Sequence, residues 1–245
     1  AGETNWNLLD TAGFKRGLGA PPNDTLQQGN INGKNWIPAE CDVSIRPGWF
    51  YHAKEDEAVK SPEVLFDLYL KSVGRGANLL LNVPPDRRGL INERDSLALM
   101  EFYKFRKESF EKNLALSGRA SLSSSTGIKS ALKLNDGKLS TYEKTIQGEL
   151  FVLKFELPTS INCITIREDM GNGQQVKKFR ILLMGGDNAL LKEITGTTIG
   201  RKRIMSFPTT SVHSIAIAID DQKKAAHISE IEAYLIDEKL IERKK

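Results

Sequence analysis

The hydrophobic period of this chain changes near Leu116 to Ser125, and a single layer of structure cannot satisfy both patterns. Ahead of the change, Ser61-Pro62-Glu63 reads as a helix start. It offers a capping hydroxyl, a proline where no N–H is needed and an acid beside the positive end of the helix dipole. The pattern predicts a helix over 62–73, stopped at Gly74. Asn78-Leu79-Leu80-Leu81-Asn82-Val83 is apolar on successive residues, as in a parallel strand covered on both faces, and Pro84-Pro85 ends it. Asn92 then caps a predicted helix over 93–113, with Leu99, Phe102, Tyr103 and Phe110 near one face. Helix, buried strand, helix is the repeating unit of an α/β barrel. Residues 1–47 are rich in Gly, Pro and Asn and are expected to form mostly long loops.

Beyond Ser117-Gly118 the helical period disappears. Strands are predicted over 150–157, 161–167, 179–184, 203–207, 214–219 and 228–236, with Ile215, Ile217 and Ile219 alternating with alanines. Turn signals such as Met184-Gly185-Gly186-Asp187 separate them, which suggests an antiparallel sandwich. The expected organisation is α/β over 1–115 followed by all-β over 116–245.

Lys and Arg number 35 against 31 Asp and Glu, a net charge of +4 whose clearest cluster is Arg243-Lys244-Lys245. That is too little basic surface to point to nucleic acid. No apolar run approaches the roughly 20 residues needed to span a bilayer. Ala1 opens into a polar segment without a charged-then-apolar leader, so a soluble chain is expected. Cys41 and Cys163 have no second Cys or His at metal-ligand spacing and are expected to be buried or free thiols. No metal or cofactor is expected.

Chemistry concentrates in Trp36-Ile37-Pro38-Ala39-Glu40-Cys41-Asp42-Val43-Ser44-Ile45-Arg46-Pro47-Gly48-Trp49-Phe50-Tyr51-His52, a stretch expected to have little regular structure. Aromatic faces pack on the C–H patches of a sugar ring, and carboxylates and guanidinium groups meet its hydroxyls. By composition alone the bland alternative is as good. Trp36 and Trp49 suit a core, Arg46 suits a salt bridge to Asp42, and His52 suits a surface.

Three segments carry a family resemblance: A-G-E-T-N-W at 1–6, W-I-P-A-E-C-D-V-S-I-R-P-G-W-F-Y-H at 36–52, and S-V-G-R-G-A-N-L-L-L-N-V-P-P-D-R-R-G-L-I at 72–91. They resemble glycoside hydrolase family 29, the α-L-fucosidases, and within it the branch acting on α1,3- and α1,4-linked fucose. G-N-G-Q-Q-V-K-K-F and T-T-I-G-R-K-R-I resemble the discoidin-like (F5/8 type C), galactose-binding-like jelly-roll sandwich attached to these enzymes. The resemblance implies the last part of a (β/α) TIM-like barrel followed by that sandwich, fucosylated oligosaccharides or glycoconjugates as partners, and a periplasmic or extracellular location.

It also implies a retaining mechanism that needs two carboxyl groups, a nucleophile and an acid/base. The family's nucleophilic Asp sits in a W-F-D-G-type motif and the branch's acid/base Glu in a G-N-E-type motif. Neither motif is present, so both are expected ahead of Ala1, in another part of the same protein or in a companion chain. Glu3 and Glu40 are fallback acid/base candidates. In the family, the aromatic matching Trp49 packs on the C6 methyl of fucose. Glu40, Arg46, Asp42 and His52 are further candidates for substrate binding. Two other functions fit the residues: a non-catalytic carbohydrate-binding protein, and an interaction module using Lys177, Lys178, Arg201, Lys202 and Arg203 as a basic patch.

Overall fold

The structure is a computed structural model that describes residues 1–10, 23–145 and 148–241. The basic tail at 243–245 and part of the loop-rich segment, 11–22, lie outside them. In chain order the first elements are β1 (Leu8–Leu9), α1 (Asn23–Gln28), β2 (Asn35–Trp36), β3 (Glu40–Ser44), α2 (Pro62–Lys71), β4 (Asn78–Asn82) and α3 (Glu93–Ser109). The expected caps are formed: Ser61 Oγ accepts from Val64 N–H at 3.4 Å and Asn92 Oδ1 from Arg94 N–H at 2.9 Å.

Strands β3 and β4 pair in parallel, from Glu40 opposite Asn78 to Ser44 opposite Asn82. The Glu40–Ser44 stretch expected to lack regular structure is therefore a strand. Its alternation of Glu40, Asp42 and Ser44 with Cys41 and Val43 fits a strand covered on one side. On the covered side, Leu81 packs with Leu65 and Leu68 of α2 and Ala98, Leu99 and Phe102 of α3. The other side is open, and Leu80 is 49% exposed. The expectation of a strand buried on both faces is thus not met within this chain, because helices cover only one of them.

The rest is β5 (Arg119–Ser124), β6 (Gly127–Ser130), β7 (Glu143–Lys144), β8 (Leu150–Glu168), β9 (Val176–Met184), β10 (Leu190–Gly196), β11 (Arg203–Gln222) and β12 (His227–Tyr234). They form an antiparallel eight-stranded sheet, ordered β10-β9-β11-β8-β12-β7, with β5 also on β8 and β6 on β5. Two pairs of predicted strands prove to be single long ones. β8 runs through Pro158 and β11 through Pro208, and their register slips between Ser206 and Thr210 and again between Val212 and Ser214. Proline lacks the ladder N–H, so it is tolerated at such an irregularity. The first part of β8 pairs with β5 and its last part with β12. Phe151, Leu153, Ile164, Ile166, Phe179, Ile217 and Ile231 nonetheless share one buried core.

An aromatic cluster joins the two regions. Phe66, Tyr69 and Phe110 meet Tyr234 and buried Cys163, with the Phe110 and Tyr234 rings edge to face at 5.1 Å. Both cysteines are free.

Candidate functional site

The C-terminal end of the β3–β4 pair is built by short polar contacts. Asn82, closing β4, donates from Nδ2 to Ser44 Oγ at 3.1 Å and to the Trp49 carbonyl at 3.0 Å. Ser44 Oγ in turn donates to the Gly48 carbonyl at 2.6 Å, so the loop after β3 is folded back over the strand ends. Lys60 Nζ donates to the carbonyl of Ser44 at 2.6 Å and to that of Arg46 at 3.3 Å, closing the loop's far side.

Arg46 lies beneath this loop with no exposed surface. Its Nε donates to Asp95 Oδ2 and its Nη1 to Asp56 Oδ1, both at 2.9 Å, and its guanidinium sits 4.6 Å from the centre of the Tyr51 ring. Burial lowers its pKa, but the two carboxylates outweigh this and raise it. Arg46 was expected to meet substrate. Because its cation is sealed away by Asp95 and Asp56, it instead holds the Trp49–His52 turn onto α3. The salt bridge weighed for it with Asp42 is not formed.

What the loop presents is apolar. Trp49 is 50% exposed and Phe50 76%. Such adjacent exposed aromatics mark a binding surface or a face that another part of the protein covers. Asp42 lies on the open face of β3, opposite Leu80, and its carboxylate has no partner among the described residues. His52 is exposed; its carbonyl accepts from Arg46 Nη1 at 3.4 Å and from Glu55 N–H at 2.9 Å. Trp49, Asp42 and the unpredicted Ser44 and Asn82 therefore share one end and face of the strand pair. The signal for Asn82 was the asparagine closing N-L-L-L-N. Nothing in the sequence marked Asp95 or Lys60.

The other two acids fall elsewhere. Glu40 opens β3 and accepts from Asn78 Nδ2 at 3.0 Å, at the N-terminal end of the pair and about 13 Å from Ser44 along an extended strand. Glu3 is bound by two guanidiniums: it pairs with Arg75, and its Oε2 accepts from Arg203 Nη2 at 2.6 Å. Burial raises its pKa, yet Arg203 and Arg75 together hold it below the ordinary carboxylate range. A carboxylate kept ionised in this way is a poor proton donor, which disfavours Glu3 as the acid/base, while Glu40 is disfavoured by its place at the end of the strand pair away from Trp49. Asn7 Oδ1 accepts from Ala39 N–H at 3.2 Å and Ala39 carbonyl from Asn78 N–H at 2.8 Å, which sets Asn7 and the 37–39 segment at the N-terminal ends of the strand pair.

The α-L-fucosidase family model matches residues 20–109. Alpha-L-fucosidase 1 of Arabidopsis thaliana is 35% identical over 244 residues, covering 96% of this chain and 47% of its own length. The chain is similar to the C-terminal portion of the α-L-fucosidases of glycoside hydrolase family 29. It spans about half the length of the curated relative. The crystal structure of SpGH29 matches with a TM-score of 0.88 at 29% identity, over 97% of this chain and 52% of that one. A family 29 fucosidase of Ruminococcus gnavus, in complex with fucose, matches with a TM-score of 0.77 at 28% identity, over 98% of this chain and 49% of that one.

Among the described residues no helix is long and apolar enough to cross a membrane, and no group of three or more His, Cys, Asp or Glu side chains could hold a metal ion. Three of the five residues of the basic patch weighed above are taken up in local pairs. Lys177 pairs with Asp221 at 2.6 Å, Arg203 is buried on Glu3, and Lys202 Nζ donates to Tyr69 hydroxyl at 3.1 Å.

Proposed function

We propose that this chain is the C-terminal part of a retaining α-L-fucosidase that releases terminal α1,3- or α1,4-linked fucose from oligosaccharides or glycoconjugates. The observation that carries this reading is half-exposed Trp49, its backbone carbonyl held by Asn82 at the C-terminal end of a parallel strand pair with helices on one face only. In a (β/α) barrel the chemistry gathers at that end of the strands. On this account β3 and β4 belong to such a barrel, over 1–115, and residues 116–245 form a galactose-binding-like sandwich. The open face, with Asp42 and Leu80, turns toward the barrel's interior.

The nucleophilic carboxylate and the proton donor come from the N-terminal part of the same protein. One attacks the anomeric carbon while the other protonates the leaving oxygen; water then resolves the glycosyl-enzyme. Trp49 takes the C6 methyl of fucose, with Asp42 and Asn82 near the ring hydroxyls and His52 at the rim. A methyl group in an aromatic pocket is worth about 1–3 kcal/mol of discrimination. Trp49→Ala in the complete enzyme should therefore lower kcat/KM for a fucoside more than for the matched galactoside. Equal losses would make Trp49 a packing residue.

The rival reading, a non-catalytic glycan-binding protein, is less well supported. No tryptophan lies beyond Trp49, and Tyr142, the exposed aromatic of the 141–142 turn, already has a ring face stacked on His227 at 4.1 Å.

A further inference from the structure

We propose that the cleft between the N-terminal ends of β3 and β4 and the far end of β8 binds a neutral saccharide chain. The fucosidase reading supplies only the class of ligand. The cleft encloses about 950 Å³, within the 300–1,000 Å³ of ordinary ligand sites. Its lining combines Trp36, Leu139 and Met170 with Asn78, Asp169 and Arg201. Trp36 is 61% exposed, although β2 needs only its backbone to pair with β1. An indole left in water beside a cavity offers the flat apolar face on which the C–H patch of a pyranose stacks.

The polar groups suit hydroxyls better than a charged ligand. Arg201 is exposed, and its guanidinium has no partner among the described residues. The Asp169 carboxylate lies 3.6 Å from His227 Nδ1. The cleft's other two cations are already engaged, Arg167 by Glu232 and Lys202 by the Tyr69 hydroxyl, which leaves Arg201 as a donor-only group and Asp169 as an acceptor-only group to satisfy sugar hydroxyls in both senses.

The walls are also fixed in advance. Buried Glu168 accepts at Oε1 from the N–H groups of Gln175 (2.6 Å) and Val176 (3.1 Å), and at Oε2 from that of Gly200 (2.8 Å). A single carboxylate thus holds both loops that carry the cleft's charged groups, Asp169 on one side and Arg201 on the other. Little ordering is then left to oppose binding. Because the cleft lies at the opposite end of β3 from Trp49, the saccharide held here is not the fucose being cleaved. Binding should be indifferent to fucose.

The test uses the full-length protein containing this chain. A branched fucosylated oligosaccharide and its defucosylated counterpart are titrated calorimetrically into the parent protein, Trp36→Ala, Arg201→Ala and Trp49→Ala. The defucosylated glycan should bind the parent and Trp49→Ala alike. Trp36→Ala should weaken it about tenfold and Arg201→Ala several-fold, while hydrolysis of a small aryl fucoside by Trp36→Ala stays at the parental rate. Undiminished binding by a Trp36→Ala protein of unchanged melting temperature would overturn the proposal. So would protection of Trp36 from oxidation by N-bromosuccinimide in the glycan-free protein, since the cleft would then be covered by protein. Glycan binding that depends on Trp36 in a protein without fucosidase activity would sink the catalytic reading and leave this one standing.

Discussion

In the eight-stranded sheet, Phe151, Leu153, Ile166 and Phe179 are covered by other residues of the same sheet. In the β3–β4 pair only the side toward α2 and α3 is covered, while Leu80, Trp49 and Phe50 face outward. The first region carries its own core and the second has half of one. The difference teaches that most of the stabilising burial lies in the part without the candidate chemistry. The part with it is organised by polar anchors instead: Arg46 to Asp95 beneath the loop, and Asn82 to Trp49 above it.

The contrast is sharpest where a single side chain is removed. Phe179→Ala should destabilise the sheet by about 3–5 kcal/mol, because the ring fills space that its neighbours cannot close. Asp95→Ala should cost the strand-pair region a comparable 3–5 kcal/mol, here because Arg46 is left buried with one of its two carboxylates gone. Urea unfolding of each variant checks both. A Phe179→Ala loss below 1 kcal/mol would break the picture of a self-sufficient core.

A smaller effect separates the regions by pH. Burial pushes Glu230 up to about 8 and Glu168 up to about 7, against an ordinary glutamate value of 4.5. For both the folded state holds its proton more tightly than the unfolded chain. Their contribution is complete below 4.5 and is lost as pH rises through the folded values. Glu3 has the opposite sign, since its lowered pKa favours the folded state above the ordinary value and that support is lost on acidification. Melting temperatures from pH 5 to 8 should fall less steeply for Glu230→Gln than for the parent protein; parallel curves would contradict the assignment. Smaller still, Ser61→Ala should cost about 1 kcal/mol through the α2 cap. Leu80→Ala in this chain should change stability by less still, about 0.5 kcal/mol, since about half of its surface is already in water.

Local signals in the sequence were legible wherever the physics is local. Ser61-Pro62-Glu63 and Asn92 cap the helices as expected, and the alternation through Ile215–Ile219 is a strand. The strands predicted to end at Leu157 and Phe207 instead continue through Pro158 and Pro208, at irregular register, because the missing proline N–H is tolerated there. The apolar run at Asn78–Val83 read as a parallel strand, but its pairing with Glu40–Ser44 was not legible, since nothing local names a partner 38 residues away. The site divides in the same way. Trp49 and Asp42 were chosen by residue type, and the structure leaves both exposed. Whether Arg46 and Glu3 face a ligand or another side chain depended on Asp95 and Arg203, 49 and 200 residues distant.

The central claim is that this chain supplies the fucose pocket but not the reacting carboxylates. It is tested most directly by hydrolysis of an aryl α-L-fucoside and of an α1,3/4-fucosylated oligosaccharide, by the 245-residue chain alone and by the full-length protein containing it. The account predicts turnover by the full-length protein and none by the chain alone, because retaining hydrolysis needs a nucleophile that neither Glu3 nor Glu40 is placed to supply. Turnover by the chain alone would contradict it, and would mean that both carboxylates lie within these residues.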